Sequence, residues 1–447
     1  MAFTTNLAKP KLNIAIIGSG IAGMSAAWLL SQKHDVTVYE RDQRLGGHSN
    51  TVTVESDLGP TPVDTGFIVY NNVTYPNLVA LFDHLGVPSK PSDMSFGVSL
   101  DGGSKEYSSV GWSAFLCNGR NLLSPRFYSM TLDLLRFYRD APLELLGARD
   151  EMISLGDYLA RRGYGDAFQH DHLLPQAAAI WSASLQEIRH YPACAFVRFF
   201  ENHGLLKLSG RPKWRTVEGG SKTYVEKLTA AYLPLVRLGA GVVAVHRDDA
   251  GVLVQDQNGQ TSRHDHVVIA THGDAALAML ADPTPQERTL LGAFRYAKNR
   301  AILHTDASLM PRRRAIWASW NYVGDNAEGG CVVSYWMNRL QRLECQQDIF
   351  LTLNPQRMPA AETVLYETEY DHPIFDAAAI RAQERVWDLQ GQRRTWFCGA
   401  HFGAGFHEDG LQAGLAVAEQ LGGVRRPWSV PDESGRIHLG ARLEQAA

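Results

Sequence analysis

Ile14-Ala15-Ile16-Ile17-Gly18-Ser19-Gly20-Ile21-Ala22-Gly23 decides how the rest of the chain is read. Leu12 to Ile17 is almost continuously apolar, the pattern of a parallel strand buried on both faces. Gly18, Gly20 and Gly23 then spell G-x-G-x-x-G at the turn into a helix predicted from Ala22 to about Ser31. The first glycine permits the tight turn, the second lets the backbone approach a pyrophosphate, and the third lets the helix pack on the strand. The free amides and positive end of that helix point at the phosphates, with Ser19 and Ala22 in the same turn. A second strand, Asp35-Val36-Thr37-Val38-Tyr39, ends in Glu40, 20 residues after Gly20, where a carboxylate can accept hydrogen bonds from a ribose diol.

The fingerprint alone does not separate NAD from FAD. Beyond it, Arg41-Asp42-Gln43-Arg44-Leu45-Gly46-Gly47-His48-Ser49-Asn50-Thr51 sets a second glycine pair after the ribose acid. This resembles the flavin-containing amine oxidase and phytoene desaturase superfamily, whose pattern here is E-R-x-x-x-x-G-G-R-x-x-T. The resemblance implies FAD bound non-covalently across the loop, through Glu40, Arg41, Gly46, Gly47 and His48. His48 stands where the superfamily has arginine.

The chain has 447 residues, room for two domains with real cores. Apolar residues make up 45% and charged residues 20%, as in ordinary globular proteins. A net charge of −4 gives no reason to expect a nucleic-acid partner. Cys117, Cys194, Cys331, Cys345 and Cys398 are scattered without C-x-x-C, which points to free thiols in a reducing compartment. The first ten residues lack the apolar run of a signal peptide, and no stretch reaches the 18 apolar residues of a membrane span. The expected location is cytoplasmic, with peripheral contact at the inner membrane surface as an added expectation.

The reading predicts an α/β fold: a Rossmann-like FAD-binding domain from residues 1–75, 211–285 and 386–447, interleaved with an α+β substrate domain from 76–210 and 286–385. Short strands are expected at Thr53–Glu55 and Gly66–Tyr70, with Asp64-Thr65-Gly66 as the turn between. Residues 76 to 210 read as largely helical. Within them, 122–146 mixes Arg126, Arg136 and Arg139 with apolar and aromatic residues. That stretch fits a core helix with a solvated face, or a helix lying on a membrane surface or lining an apolar tunnel. Trp214 to Val225 carries the pair Gly219-Gly220 before a helix, and Leu235–His246 and His266–His272 read as strands. Aromatic, β-branched strands follow at Ala301–Asp306, Ile316–Tyr322 and Cys331–Trp336. Asn354-Pro355 and His372-Pro373 mark turns. A final strand, Arg394–Ala400, leads into the loop Gly403–Gly410 and a helix from Leu411.

By resemblance, Gly66 and Phe67 pass close to the flavin ring, the Val243 backbone lies against the adenine end, and Gly399, Asp409, Gly410 and Leu411 aim a second helix N-terminus at the flavin's pyrimidine edge. Such a dipole stabilises the negative charge of a reduced flavin. Blocks such as Trp181-Ser182, Phe200-Glu201-Asn202-His203-Gly204-Leu205 and Gly405-Phe406-His407-Glu408-Asp409-Gly410 look like one bacterial subgroup of predicted NAD/FAD-binding proteins, and the chain also resembles the N-terminal half of plant cyclopropane fatty acid synthases. That resemblance implies a lipid acyl chain as substrate.

The candidate catalytic residues are His407, Phe406 and Trp320. Phe406 falls where amine oxidases place a tyrosine or tryptophan ring. His407 lies in the loop aimed at the flavin, with Glu408 and Asp409 as helix-capping residues on the alternative reading. Lys298 reads as a surface residue, and His170 and His172 as satisfied surface histidines rather than metal ligands. The leading expectation is a flavoenzyme that removes hydride from a hydrophobic or lipid substrate. An amine oxidase, a flavin-dependent isomerase and a non-catalytic FAD-binding partner of a lipid-modifying enzyme are the alternatives. Oligomeric state is not legible.

Overall fold

The computed structural model describes residues 11–117, 119–146, 153–181, 185–207, 209–325 and 330–440. The mixed-polarity first ten residues and Ser182 lie outside them, as do the side chains of Trp181, Asn202 and Cys331. Cys117, Cys194, Cys345 and Cys398 are free thiols.

The fingerprint strand, Asn13–Ile17, is the middle of a five-stranded sheet in the order Val236–Arg237, Asp35–Tyr39, Asn13–Ile17, His266–Ile269, Thr395–Phe397. Every pairing is parallel. Because every strand runs the same way, all of them end at one crest, although the chain leaves the sheet after Tyr39, Arg237 and Ile269. The helix Ile21–Leu30 is buried along its whole length. It lies under the C-terminal helix, His407–Leu421, and glycine lets the two touch: a Cβ on Gly414 would sit 2.2 Å from the Ala22 carbonyl oxygen. Both helices therefore begin at the same crest, as the glycine-rich turns at Gly18 and Gly403 to Gly410 require.

A seven-stranded sheet forms the second layer, ordered Val364–Ile374, Arg295–His304, Phe350–Leu353, Gly330–Trp336, Trp320–Asp325, Phe96–Leu100, Lys105–Ser108. Its core includes Val98, Leu303, Tyr322, Val333, Leu351 and Tyr370. Helices from Pro125–Leu145 to Ala193–Asn202 build a third core around Phe137, Phe168, Phe196 and Phe200. The architecture is that of two α/β domains with interleaved chain segments.

Several expectations change. Residues 76–210 are helical in the main, but Phe96–Leu100 and Lys105–Ser108 are strands of the large sheet. Phe96–Leu100 is buried throughout and residues 106–108 are buried too, so neither strand shows the alternation that marks a half-exposed one. Thr51–Ser56 pairs with Gly59–Asp64 around a turn at Asp57-Leu58, so Asp64-Thr65-Gly66 follows the hairpin and Gly66 to Val69 is not a strand. Leu235–His246 splits into Val236–Arg237 and Val242–Asp248, two strands in different sheets. His372-Pro373 lies inside the strand Val364–Ile374 rather than in a turn; the strand is at the sheet's edge, where proline's missing amide leaves no ladder bond broken.

Candidate functional site

The site is built at the crest of the parallel sheet. Gly18 takes a φ of +96°, and a Cβ there would come 2.9 Å from the Ala270 carbonyl oxygen. Gly23 tolerates still less, with a Cβ falling 1.9 Å from the Gly18 oxygen. Gly20 differs from both: a Cβ there would meet nothing within 4 Å. It caps the helix with extended backbone, no side chain covers the helix amides, and no acidic residue occupies the first turn. Open space in front of uncapped amides is the cradle a pyrophosphate needs.

Gly46 donates its amide to the Ser19 carbonyl at 3.1 Å, and a Cβ on Gly47 would approach the Gly20 Cα to 3.1 Å. The second glycine pair thus lies directly on the fingerprint turn. Glu40 sits where the ribose acid belongs, with Oε2 accepting from the Ser19 amide at 2.9 Å and Oε1 from the Asp42 amide at 2.9 Å. Arg41 is exposed and paired with Asp42 at 3.5 Å. Val243 occupies a break in strand register between Val242 and Ala244, a bulge that takes it out of regular pairing. Gly399, Gly410 and Leu411 line the junction of the last strand with the C-terminal helix. A Cβ on Gly399 would strike the His401 ring at 2.6 Å, one on Gly410 would reach the Ile21 side chain at 2.9 Å, and Leu411 is fully buried.

Around the flavin-ring end, a Cβ on Gly66 would fall 2.1 Å from the His48 carbonyl oxygen, which accepts the Phe67 amide at 2.8 Å. Phe67 then stacks on His407. His407 Nε2 lies 2.6 Å from the Tyr224 hydroxyl and 3.3 Å from Ser49 Oγ, and Ser49 and Tyr224 also bond each other. Burial pushes the His407 imidazole down to about 3, so it is neutral across the physiological range. His407, Glu408 and Asp409 belong to the first turn of the helix, not to a preceding loop.

Glu408 and Asp409 are engaged in structure. Glu408 accepts from the Asn77 and Leu78 amides and so caps the helix Pro76–Leu85. Asp409 accepts the Phe406 amide at 2.7 Å and holds Arg436 at 2.5 Å. With both oxygens taken and no exposed surface, the Asp409 carboxylate is a capping group rather than a cofactor contact.

His48 departs from its expected role. Its ring packs with Tyr370 at 5.0 Å, His372 at 5.7 Å and His272 at 6.2 Å. Burial first, then these neighbouring imidazoles, push it down to about 3. It supplies no positive charge to a phosphate at neutral pH, unlike the arginine usual at this place. Phe406 caps the C-terminal helix and stacks on Phe199 at 4.8 Å. Trp320 sits against Tyr335 at 4.5 Å in the large sheet and donates to Met94 Sδ; it shares no described hydrogen bond or ring contact with Phe406 or His407.

Lys298 is an exposed partner of Glu369 at 2.7 Å. His172 is buried, not on the surface, and its Nδ1 lies 2.8 Å from the Tyr107 hydroxyl. Among the described residues no group of three or more His, Cys, Asp or Glu side chains is placed to hold a metal ion. The residue reading missed Tyr224, Ser49, Tyr370, His272 and the buried Asp64, which accepts from Thr51 and Ser221 and which burial pushes up to about 6. Tyr224 and Ser49 carried a signal, each lying a few residues beyond a glycine pair, and Asp64 opens the turn that leads to Gly66.

The residues present fit FAD: an open glycine cradle at uncapped amides and an acid at the end of the second strand. The family model for flavin containing amine oxidoreductases matches residues 21–308. A Mycobacterium tuberculosis protein assigned as the flavin-containing monoamine oxidase AofH is 25% identical over 288 residues, 61% of this chain and 59% of that protein. The match thus spans about three fifths of that relative's length. The 4,4'-diapophytoene desaturase of Staphylococcus aureus is 39% identical over 56 residues, 12% of this chain and 11% of that one. Two solved structures share the fold at 16% identity over 92% of this chain: a CLA-producing fatty acid isomerase from P. acnes, with a TM-score of 0.65 and 98% of its own chain covered, and cyclohexylamine oxidase from Brevibacterium oxydans, with 0.62 and 100%. With the family model covering more than half of the sequence, the chain belongs to the flavin-containing amine oxidoreductases, whose cofactor is FAD.

Proposed function

We propose that the protein is an FAD-dependent oxidoreductase that removes hydride from an apolar, chain-shaped substrate, with a lipid acyl chain as the favoured class. The flavin supplies the hydride acceptor. The chain's own part is to hold the reacting carbon in register, because a hydride leaving a C–H bond needs positioning more than it needs an acid or base.

One observation carries the reading. Three carboxylates beside His407 and Ser49 are spent inside the protein: Glu408 on Asn77 and Leu78, Asp409 on Phe406 and Arg436, Asp64 on Thr51 and Ser221. None of these three is left to hold an ammonium ion, while the half-buried Phe406 ring, stacked on the buried Phe199, offers aromatic surface. The desaturase and the fatty acid isomerase among the similar proteins act on chains of this kind. Amine oxidation is the second reading, favoured by the family match itself.

The outer face of residues 110–146 supports a lipid source. Trp112, Leu123, Leu132 and Leu143 are each more than 65% exposed, and Leu123 and Leu132 also line a shallow recess of about 640 Å³ with Leu122, Pro125, Tyr128, Ser129 and Asp133. No helix among the described residues is long and apolar enough to cross a membrane, so contact there would be peripheral. Extraction of the purified holoprotein followed by mass spectrometry tests the proposal: an apolar chain compound should co-purify, and a polar amine in its place would count against it.

A further inference from the structure

In the block Phe200-Glu201-Asn202-His203-Gly204-Leu205, backbone shape accounts for the glycine. The helix Ala193–Asn202 ends there, Gly204 takes a φ of +64°, and a Cβ on it would come 2.5 Å from Pro212. The histidine is not accounted for in this way. His203 Nδ1 lies 2.9 Å from the Phe199 carbonyl oxygen. A carbonyl only accepts, so Nδ1 carries the hydrogen and Nε2 keeps the lone pair. That Nε2 is buried with no partner, in a residue only 3% exposed. Leaving a buried acceptor unsatisfied costs about 1–3 kcal/mol, a cost that a ligand donor removes.

The surroundings of this acceptor are aromatic. Between ring centroids, Phe199 lies 3.9 Å from the His203 imidazole, Phe406 5.5 Å, and Trp214 and Tyr75 6.4 Å each. Phe406 is the residue before His407, so the box adjoins the flavin-ring end through its half-buried wall. Burial, with the nearby Arg436 charge adding to it, pushes the His203 imidazole down to about 3, which keeps the lone pair unprotonated.

We propose that His203 Nε2 is a polar anchor of the substrate site and accepts a hydrogen bond from one donor, a hydroxyl or a neutral amine N–H, on an otherwise apolar substrate seated against Phe406. The assignment rests on the reading that this aromatic region receives the substrate. It also sets the specificity. A carboxylate would bring lone pairs against a lone pair and an ammonium would arrive without a counter-charge, whereas a neutral donor completes the box. The half-buried rings of Phe406 and Trp214 are the parts of the wall that must give way on entry.

The test uses the holoprotein and ligands of one length: 1-octanol, octylamine at a pH where a fraction is neutral, and methyl heptyl ether, which has no donor. Binding is followed by perturbation of the flavin spectrum under anaerobic conditions. Octanol, or neutral octylamine, should bind about tenfold more tightly than the ether, the ratio corresponding to about 1.4 kcal/mol for one buried hydrogen bond. His203→Phe should abolish that preference and still bind the ether; His203→Gln, which restores an acceptor, should recover it. Retained flavin content reports that each variant is folded. Equal affinity for all three ligands in the unsubstituted protein, or a donor preference that survives in His203→Phe, would overturn the anchor. If none of the three perturbs the flavin, the apolar-substrate reading itself fails and the anchor with it; ether binding without donor preference removes the anchor alone. The octanol and octylamine arms separate an alcohol-bearing from an amine-bearing source.

Discussion

The rings of Phe67 and His407 lie parallel, 3.8 Å between centroids and 9° between planes. This stack ties the turn after Gly66 to the first turn of the C-terminal helix. Tyr224 and Ser49 hold the imidazole from the other side. His407→Ala should therefore lower FAD affinity and melting temperature together, with a stability cost of about 1–3 kcal/mol for the lost packing on Phe67 and the lost hydrogen bond to Tyr224. Isothermal titration of apoprotein with FAD, beside a thermal melt, checks it. Slowed flavin reduction with unchanged melting and affinity would instead give His407 a role in the chemistry.

Gly20 and Gly23 should fail in different ways. A side chain at Gly20 enters open space, so Gly20→Val should give a folded, colourless protein that melts like apoprotein. Gly23→Ala drives a methyl against the Gly18 carbonyl and should cost stability, about 1–3 kcal/mol, before cofactor binding is considered. Absorbance at the flavin bands together with denaturant midpoints separates the two outcomes. FAD released from the unsubstituted protein by denaturation should be free in solution; colour retained on the precipitate would contradict non-covalent binding.

The pH response follows from the buried imidazoles. His48, His407 and His203 are pushed down to about 3 and His372 to about 4, all by burial first. Above about 6.5 they are neutral both folded and unfolded, so they leave stability flat there. Below it the unfolded chain takes up protons that the folded chain refuses, and stability falls as pH drops towards 4. Asp64, raised to about 6, and Glu408, also pushed up by burial, work in the opposite direction, but they are two groups against these four imidazoles. Thermal melts between pH 8 and 4 should show a plateau and then a decline; a midpoint that rises on acidification would contradict the burial of these rings.

The nucleotide-binding half was legible because its chemistry is written in local spacing. Gly18, Gly20, Gly23 and Glu40 each occupy a position where one residue type suits the backbone or the ligand, and they stand in sequence order. The flavin-ring end is assembled from residues far apart in the chain, such as Ser49, Tyr224 and His407, and nothing in the spacing of one predicts the others. Phe96–Leu100 was missed because a strand buried on both faces shows no alternation. Glu408 and Asp409 looked like site residues because acids in a helix's first turn serve caps and ligands equally well; only their partners, Asn77 and Arg436, decide between the two.

The arginines of residues 122–146 are spent on neighbours. Arg126 pairs with Asp171 and Asp166, Arg136 with Asp133, and Arg139 with Asp140. Any vesicle binding by this face should therefore rest on its apolar side chains and change little between zwitterionic and anionic lipid, unlike the roughly 1 kcal/mol per basic residue of a free basic surface. Leu123→Glu with Leu132→Glu should abolish co-sedimentation with liposomes and leave the flavin spectrum unchanged. Binding that appears only with anionic lipid would contradict this.

The most direct measurement of the proposed activity is anaerobic reduction of the bound flavin, followed by loss of its visible absorbance, on mixing with lipids carrying apolar acyl chains and, in parallel, with a panel of small amines. The expected result is bleaching by an apolar chain substrate, with amines slow or inert at equal concentration. Prompt bleaching by a small charged amine, with the lipids inert, would contradict the proposal and assign the protein to amine oxidation.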